Sequence, residues 1–125
     1  MKLSRYIGVI GSRKFNEYTL LDQVLKETCK EGDILVSGGA IGADSMGQRW
    51  AKENGYSILI HYPDYNRYGK GAPFIRNKTI ADDSDLILAF YSKGKLGQGG
   101  TRNTIEWAIK LNKTYLEYES TINDE

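Results

Sequence analysis

From one end of the chain to the other, short runs rich in β-branched and aromatic residues alternate with longer segments of helical period, and this alternation restricts the fold more than any other feature. The runs occupy residues 5–10 (RYIGVI), 33–37 (DILVS), 56–62 (YSILIHY), 85–91 (DLILAFY) and 113–118 (KTYLEY). Runs of this kind separated by helices are the pattern of a five-stranded, mostly parallel sheet covered by helices on both faces.

Between the first two runs, Leu20, Leu21, Val24, Leu25 and Cys29 recur at helical spacing, and Glu31-Gly32 supplies a stop. Ala43, Met46, Trp50 and Ala51 form a second apolar stripe ended by Asn54-Gly55. Pro73 opens a third helix over residues 73–84, since the first turn needs no amide donor. Ile105, Ala108, Ile109 and Asn112 mark the face of a fourth. Trp50 and Trp107, at these spacings, read as packing residues. Residues 63–72 (PDYNRYGKGA) make the longest irregular piece, and long loops in small domains are often functional. Right-handed crossovers then give one Rossmann-like three-layer α/β domain over residues 1–118, with a polar tail at 119–125 expected to fray. In such a sheet the ligand crevice lies beyond the carboxyl ends of the strands.

At 125 residues the chain has the size of one ordinary domain. Its 17 basic and 16 acidic side chains nearly cancel, so no bulk field recommends nucleic acid or an anionic membrane as partner. Cys29 and His61 are each the sole residue of their type, which leaves no zinc-type ligand cluster and no Ser-His or Cys-His relay. Cys29 reads as a buried, small apolar side chain. With no leader pattern and no run long enough to span a bilayer, the expected location is cytoplasmic.

Three strands run directly, or soon, into glycine-bearing polar turns: GSRKF at 11–15, SGGAIGAD at 37–44 and GQGGTRN at 97–103. Glycine lets a ligand approach the backbone, and the helix that follows offers unpaired amides and the positive end of its dipole. The combination suits a phosphate or the ribose-phosphate part of a nucleotide. Neither a Walker A loop nor a clean G-x-G-x-x-G fingerprint is present, which disfavours ATP hydrolysis and ordinary dinucleotide redox chemistry. The candidate contacts are Gly11, Ser12, Arg13, Ser37, Gly38, Gly39, Gly42, Ala43, Asp44, Arg76, Asn77, Gly99, Gly100, Thr101 and Asn103. Arg13 is placed to pair with phosphate bidentately or is a solvated surface arginine. Ser12 and Ser37 donate to phosphate oxygens or cap helices. Asp44 accepts from ribose hydroxyls or binds first-turn amides of its own helix, and Arg76 completes an anion site or is a salt-bridged helix residue. Tyr62, Tyr65 and Tyr68, around Arg67 and Lys70, offer flat rings for a base or pack their loop onto the body.

In order along the chain, GVIGSRKF, LVSGGAIGAD, APFIRNKTIADDSDLILAFY and GGTRNTIEWAIKLN resemble the SLOG superfamily, named for the Smf/DprA and LOG proteins, and within it the small YspA-like group. The resemblance implies a Rossmann-like fold that binds nucleotides or nucleotide-derived ligands in the strand-end crevice. LOG-type members are phosphoribohydrolases that cleave the N-glycosidic bond of nucleoside monophosphates and commonly form dimers. Other members are regarded as sensors of ligands such as ADP-ribose derivatives, and DprA members bind single-stranded DNA. The LOG motif P-G-G-x-G-T-x-E-E falls on LGQGGTRNT, which puts Gly99, Gly100 and Thr101 in the phosphate turn and Asn103 and Thr104 where two glutamates stand. Arg76 matches the helix-opening arginine of a second LOG motif. Glycosidic cleavage usually needs a carboxylate, which Asn103 does not supply; Asp44 or Glu106 would have to replace it. The expectation is therefore a nucleotide-binding or sensing module that needs no metal or redox cofactor and forms a homodimer. A LOG-like hydrolase using Arg76 with Asp44 or Glu106 is the alternative, and a DprA-like single-stranded DNA binder, opposed by the near-neutral charge, is the second.

Overall fold

The computed structural model describes residues 4–123. Five strands, β1 (Tyr6–Gly11), β2 (Ile34–Ser37), β3 (Ser57–Ile60), β4 (Leu86–Tyr91) and β5 (Thr114–Glu119), form one sheet in the order β3-β2-β1-β4-β5. Every pairing in it is parallel. The helices are α1 (Tyr18–Thr28), α2 (Ala43–Asn54), the short α3 (Tyr65–Tyr68), α4 (Ala72–Asp83) and α5 (Gly99–Lys110). The chain winds outward from the central β1 to β3, crosses back through α4 to place β4 on the other side of β1, and continues to β5. The winding direction therefore reverses between β1 and β4, and the loops leaving those two strands diverge.

The alternation of side chains along each strand divides the core in two. Ile7, Val9, Leu35, Leu88 and Phe90 meet α1 and α2 through Leu21, Leu25, Trp50 and Ala51. On the other face, Ile10, Val36, Ile87, Ala89 and Tyr91 meet α4 and α5 through Ile80, Ala81, Ile105 and Ala108. Trp50 is buried and donates its indole N–H to Asp22 at 2.8 Å. Trp107 lies partly buried at the edge of the second core, with the ammonium groups of Lys78 and Lys110 over its ring. No described helix is long and apolar enough to cross a membrane.

Several element ends differ from the sequence expectation for identifiable reasons. α1 stops at Thr28, before Glu31-Gly32, because Arg5 donates to the Thr28 carbonyl at 2.8 Å and pairs with Asp33 at 2.7 Å. Asp33 also accepts from the Lys30 amide, which tightens the turn immediately after the helix. Cys29 is only half-buried, and burial pushes its thiol up to about 11. α2 does end at Asn54, with Gly55 in the left-handed conformation as its cap. Asn112 lies beyond α5 at φ 57°, and Ile109 is half-exposed, so neither belongs to the buried face of that helix. The irregular stretch at 63–72 contains α3, whose first turn is capped by the Asp64 carboxylate accepting from the Arg67 amide, and a 3-10 turn at Gly69–Gly71.

The start of the polar tail is also ordered. β5 extends to Glu119, and the Glu17 carboxylate, at the head of α1, accepts from the Ser120 hydroxyl and from both the amide and the hydroxyl of Thr121. A carboxylate with three donors holds what a free polar end would not; residues 124–125 lie outside the described residues. The Thr121 amide, followed by the two hydroxyls, holds the Glu17 carboxyl below the usual range. Its tethering contribution is full above the ordinary carboxylate value and disappears as pH falls through the depressed folded value. The Thr121 amide resonance should therefore shift in acid with the titration of Glu17, and the shift should vanish in Glu17→Gln; an unchanged titration in that variant would remove the tether.

Gly11 is set by contact. A Cβ there would fall 2.6 Å from the Ala43 Cβ and against the Phe90 carbonyl. Gly11→Ala should lower stability by roughly 1–3 kcal/mol, the usual cost of overpacking, read as a lower urea midpoint at unchanged slope.

Candidate functional site

Where the winding reverses, a crevice of about 540 Å³ opens at the carboxyl ends of β1 and β4. It is lined by the end of β1 and the turn after it, Ala40 and Asp44, the first half of α4, the loop after β4 and the start of α5. This is the edge at which the glycine turns were expected to converge.

Ser12 joins the parts. Its amide donates to the Phe90 carbonyl at 2.8 Å, its carbonyl accepts from Phe15 and Ala43, and its hydroxyl accepts from the Ser92 amide at 3.2 Å. One residue thereby binds β1 to β4 and seats the start of α2. The Ala43 amide is consumed in this way.

The turn after β2 spends its donors on itself. Asp44 is 6% exposed, and its carboxylate accepts from the amides of Gly38 (3.2 Å) and Ala40 (3.3 Å), residues of the preceding loop and not of its own helix. The Gly38 carbonyl accepts from the Arg76 guanidinium. Arg76 Nε then donates to Asn77 Oδ1 at 2.9 Å, and Asn77 Nδ2 donates to Asn103 Oδ1 at 3.1 Å. This relay connects the three segments SGGAIGAD, IRN and GGTRN through side chains on α2, α4 and α5. A Cβ on Gly38 would lie 2.7 Å from Arg76 Nη1 and 2.9 Å from Asp44 Oδ2, so a larger residue there would push these side chains out of the relay. Burial raises the Asp44 carboxyl above its ordinary value, opposed by the Ala40 amide, the Arg76 charge and the Gly38 amide.

α5 differs. Gln98 provides no side-chain cap, the first turn holds no acidic residue, and Gly99, Gly100 and Thr101 line the crevice. The unpaired amides and dipole of a 12-residue helix thus face the cavity. Around them the cavity wall carries Arg13, Lys14, Arg76 and Lys95, with Asp44 as its one carboxylate.

Of the residues singled out in the sequence, Gly11, Ser12, Arg13, Asp44, Arg76, Asn77, Gly99, Gly100 and Thr101 line the crevice together. Ser37, Gly38, Gly39, Gly42, Ala43 and Asn103 do not line it; Ser37 is buried and donates to the Val9 carbonyl at 3.0 Å. Glu106 is exposed and outside the crevice. So are the rings of Tyr62, Tyr65 and Tyr68: Tyr62 rests against Gly39, and Arg67 covers Tyr68. Sequence reasoning missed Lys14, Phe74, Ser92 and Lys95. Ser92 directly follows β4 and was accessible to the same strand-end criterion; Phe74 is a 57% exposed ring in the first turn of α4. Among the described residues, no group of His, Cys, Asp and Glu is arranged to hold a metal ion.

Arg76→Ala should cost about 1–3 kcal/mol, because the carbonyl of Gly38 and the amide oxygen of Asn77 both lose a charged donor. Chemical denaturation checks this, and an unchanged midpoint would show that the relay contributes nothing to stability.

Residues 7–68, from β1 through α3, match the profile of YAcAr, described as the YspA, cpYpsA-related SLOG family. The chain is also 31% identical over 116 residues to the Gene 61 protein of Mycobacterium phage D29, an alignment that spans 85% of this chain and 90% of the phage protein. No solved structure matches.

Proposed function

The chain belongs to the YspA, cpYpsA-related SLOG family, and on that premise we propose that it binds a nucleotide or nucleotide-derived ligand, such as a nucleoside monophosphate or an ADP-ribose derivative, at the switch-point crevice. The observation that carries this reading is the uncapped, glycine-rich start of α5 opening into a cavity walled by cations. In this reading the amides of α5 and the guanidinium of Arg13 take phosphate, and Asp44 accepts from a sugar hydroxyl while holding the β2 turn. Phe74, at the mouth, replaces the loop tyrosines as the ring for a base.

The geometry supports retention of the ligand more than its cleavage. Asn103 is an uncharged member of the relay and is bonded to Asn77; Glu106 lies outside the cavity. A hydrolytic role would fall to Asp44 alone, whose carboxylate already accepts from two amides. A homodimer, as in LOG-type proteins, belongs to the same reading and is checked by light scattering.

Purified protein mixed with nucleoside monophosphates, ADP-ribose and NAD, then separated and analysed by mass spectrometry, should retain an intact ligand and release no free base over hours. Accumulating base and ribose phosphate would replace this reading with the hydrolytic one. Arg13→Ala should weaken binding by roughly tenfold, the scale of one charge-assisted phosphate contact, with an unchanged melting temperature because Arg13 is exposed.

A further inference from the structure

The nucleotide reading leaves the number of phosphoryl groups open, and two features of the crevice bear on it. Ser92 directly follows β4, lines the cavity and is 2% exposed. Its hydroxyl and Asn16 Oδ1 are the two buried side-chain polar atoms without a hydrogen-bond partner among the described residues, and of these residues only Ser92 lines the crevice. Buried hydroxyls are nearly always satisfied, because losing water without replacement is costly. The Ser92 hydroxyl therefore marks a place where a ligand oxygen completes the structure, in the crevice that the first turn of α5 also lines.

The second feature is charge. Arg13 and Lys14 leave the turn after β1, and Lys95 stands in the loop after β4, on the diverging sides of the switch point. All three are exposed, and among the described residues none has an ion-pair partner. Arg76, by contrast, is committed to Gly38 and Asn77. The loop bearing Lys95 is itself held in place, since the Gly94 amide donates to Glu119 at 2.6 Å. A single phosphoryl group seated at α5 with Ser92 and Arg13 has its acceptor oxygens served, which leaves Lys14 and Lys95 unmatched.

Resting on the nucleotide reading, we infer that the crevice takes a ligand with at least two linked phosphoryl groups, a nucleoside 5′-diphosphate or an ester of one. One phosphoryl group lies at the start of α5 against the Ser92 hydroxyl. The next lies between Arg13, which the two groups share, and Lys14 and Lys95, whose charges a monophosphate leaves unmatched. No bond is made or broken in this assignment.

The test is calorimetric titration of the whole chain with the 5′-mono- and diphosphates of adenosine, guanosine, cytidine and uridine, and with inorganic phosphate and pyrophosphate. The diphosphate of the preferred base should bind at least about tenfold more tightly than its monophosphate, as charge-assisted contacts to a second phosphoryl group require. Pyrophosphate should displace it better than phosphate. In the Lys14→Ala/Lys95→Ala double variant, whose altered residues are exposed, the diphosphate-to-monophosphate ratio should fall toward one, while Ser92→Ala should weaken both ligands. Equal affinities for the two ligands in the parent protein, or an unchanged ratio in the double variant, would overturn the second phosphoryl site and leave nucleotide binding standing. No binding of any nucleotide would overturn both.

Discussion

The parallel pairing of β1 with β4, in which Ile7 sits opposite Leu86 and Gly11 opposite Phe90, sets everything at the binding edge. A parallel neighbour cannot be reached by a tight turn, so the chain travels through β2 and β3 and returns by α4 before β4 can form. That detour makes the two halves wind away from each other. The gap between their loops is the crevice, and Ser12 is the clasp across its floor, bonded to Phe90 on one side and to Ser92 and Ala43 on the others.

The polar groups around this gap divide into those that build it and those left facing it. Asp44, Gly38, Arg76, Asn77 and Asn103 satisfy one another in sequence from α2 through α4 to α5. The dipole and amides of α5, the Ser92 hydroxyl and the rim cations have no such partners among the described residues. A hydrogen-bonded relay that spans three elements holds them in fixed relation, and this keeps the unpaired donors of the crevice in place.

Much of this was legible in the sequence. Five apolar runs became five strands within a residue or two at most ends, since apolar runs buried on both faces leave a strong pattern, and the edge at which the glycine turns converge follows from parallel topology. The division of labour among the turns was not legible. SGGAIGAD and GQGGTRN look alike as strings, yet Asp44 folds back onto the amides of the first, whereas the second has no acid in the first turn of its helix to do so. A carboxylate one turn along a helix can serve its own loop or a ligand, and only the backbone path decides which. Phe74 and Lys95 were missed because neither stands in a glycine motif; they reach the cavity through the placement of α4 and of the loop after β4. The tyrosines of residues 62–68 drew attention by composition, but α3 carries them outside the wall.

The order in which β1 and β4 occur along the chain bears on how the protein comes into being. During synthesis the segment through β3 emerges first and can pair β1 with β2 and β2 with β3, but one long edge of β1 then stays bare until β4 arrives. An unpaired inner strand edge, rich in apolar side chains, is a hazard for misassociation. The crevice, which needs α4, the loop after β4 and the start of α5, comes together only as that edge is covered. The crevice is thus completed late, in the same step that ends the vulnerability, and a chain that stops before α5 lacks it.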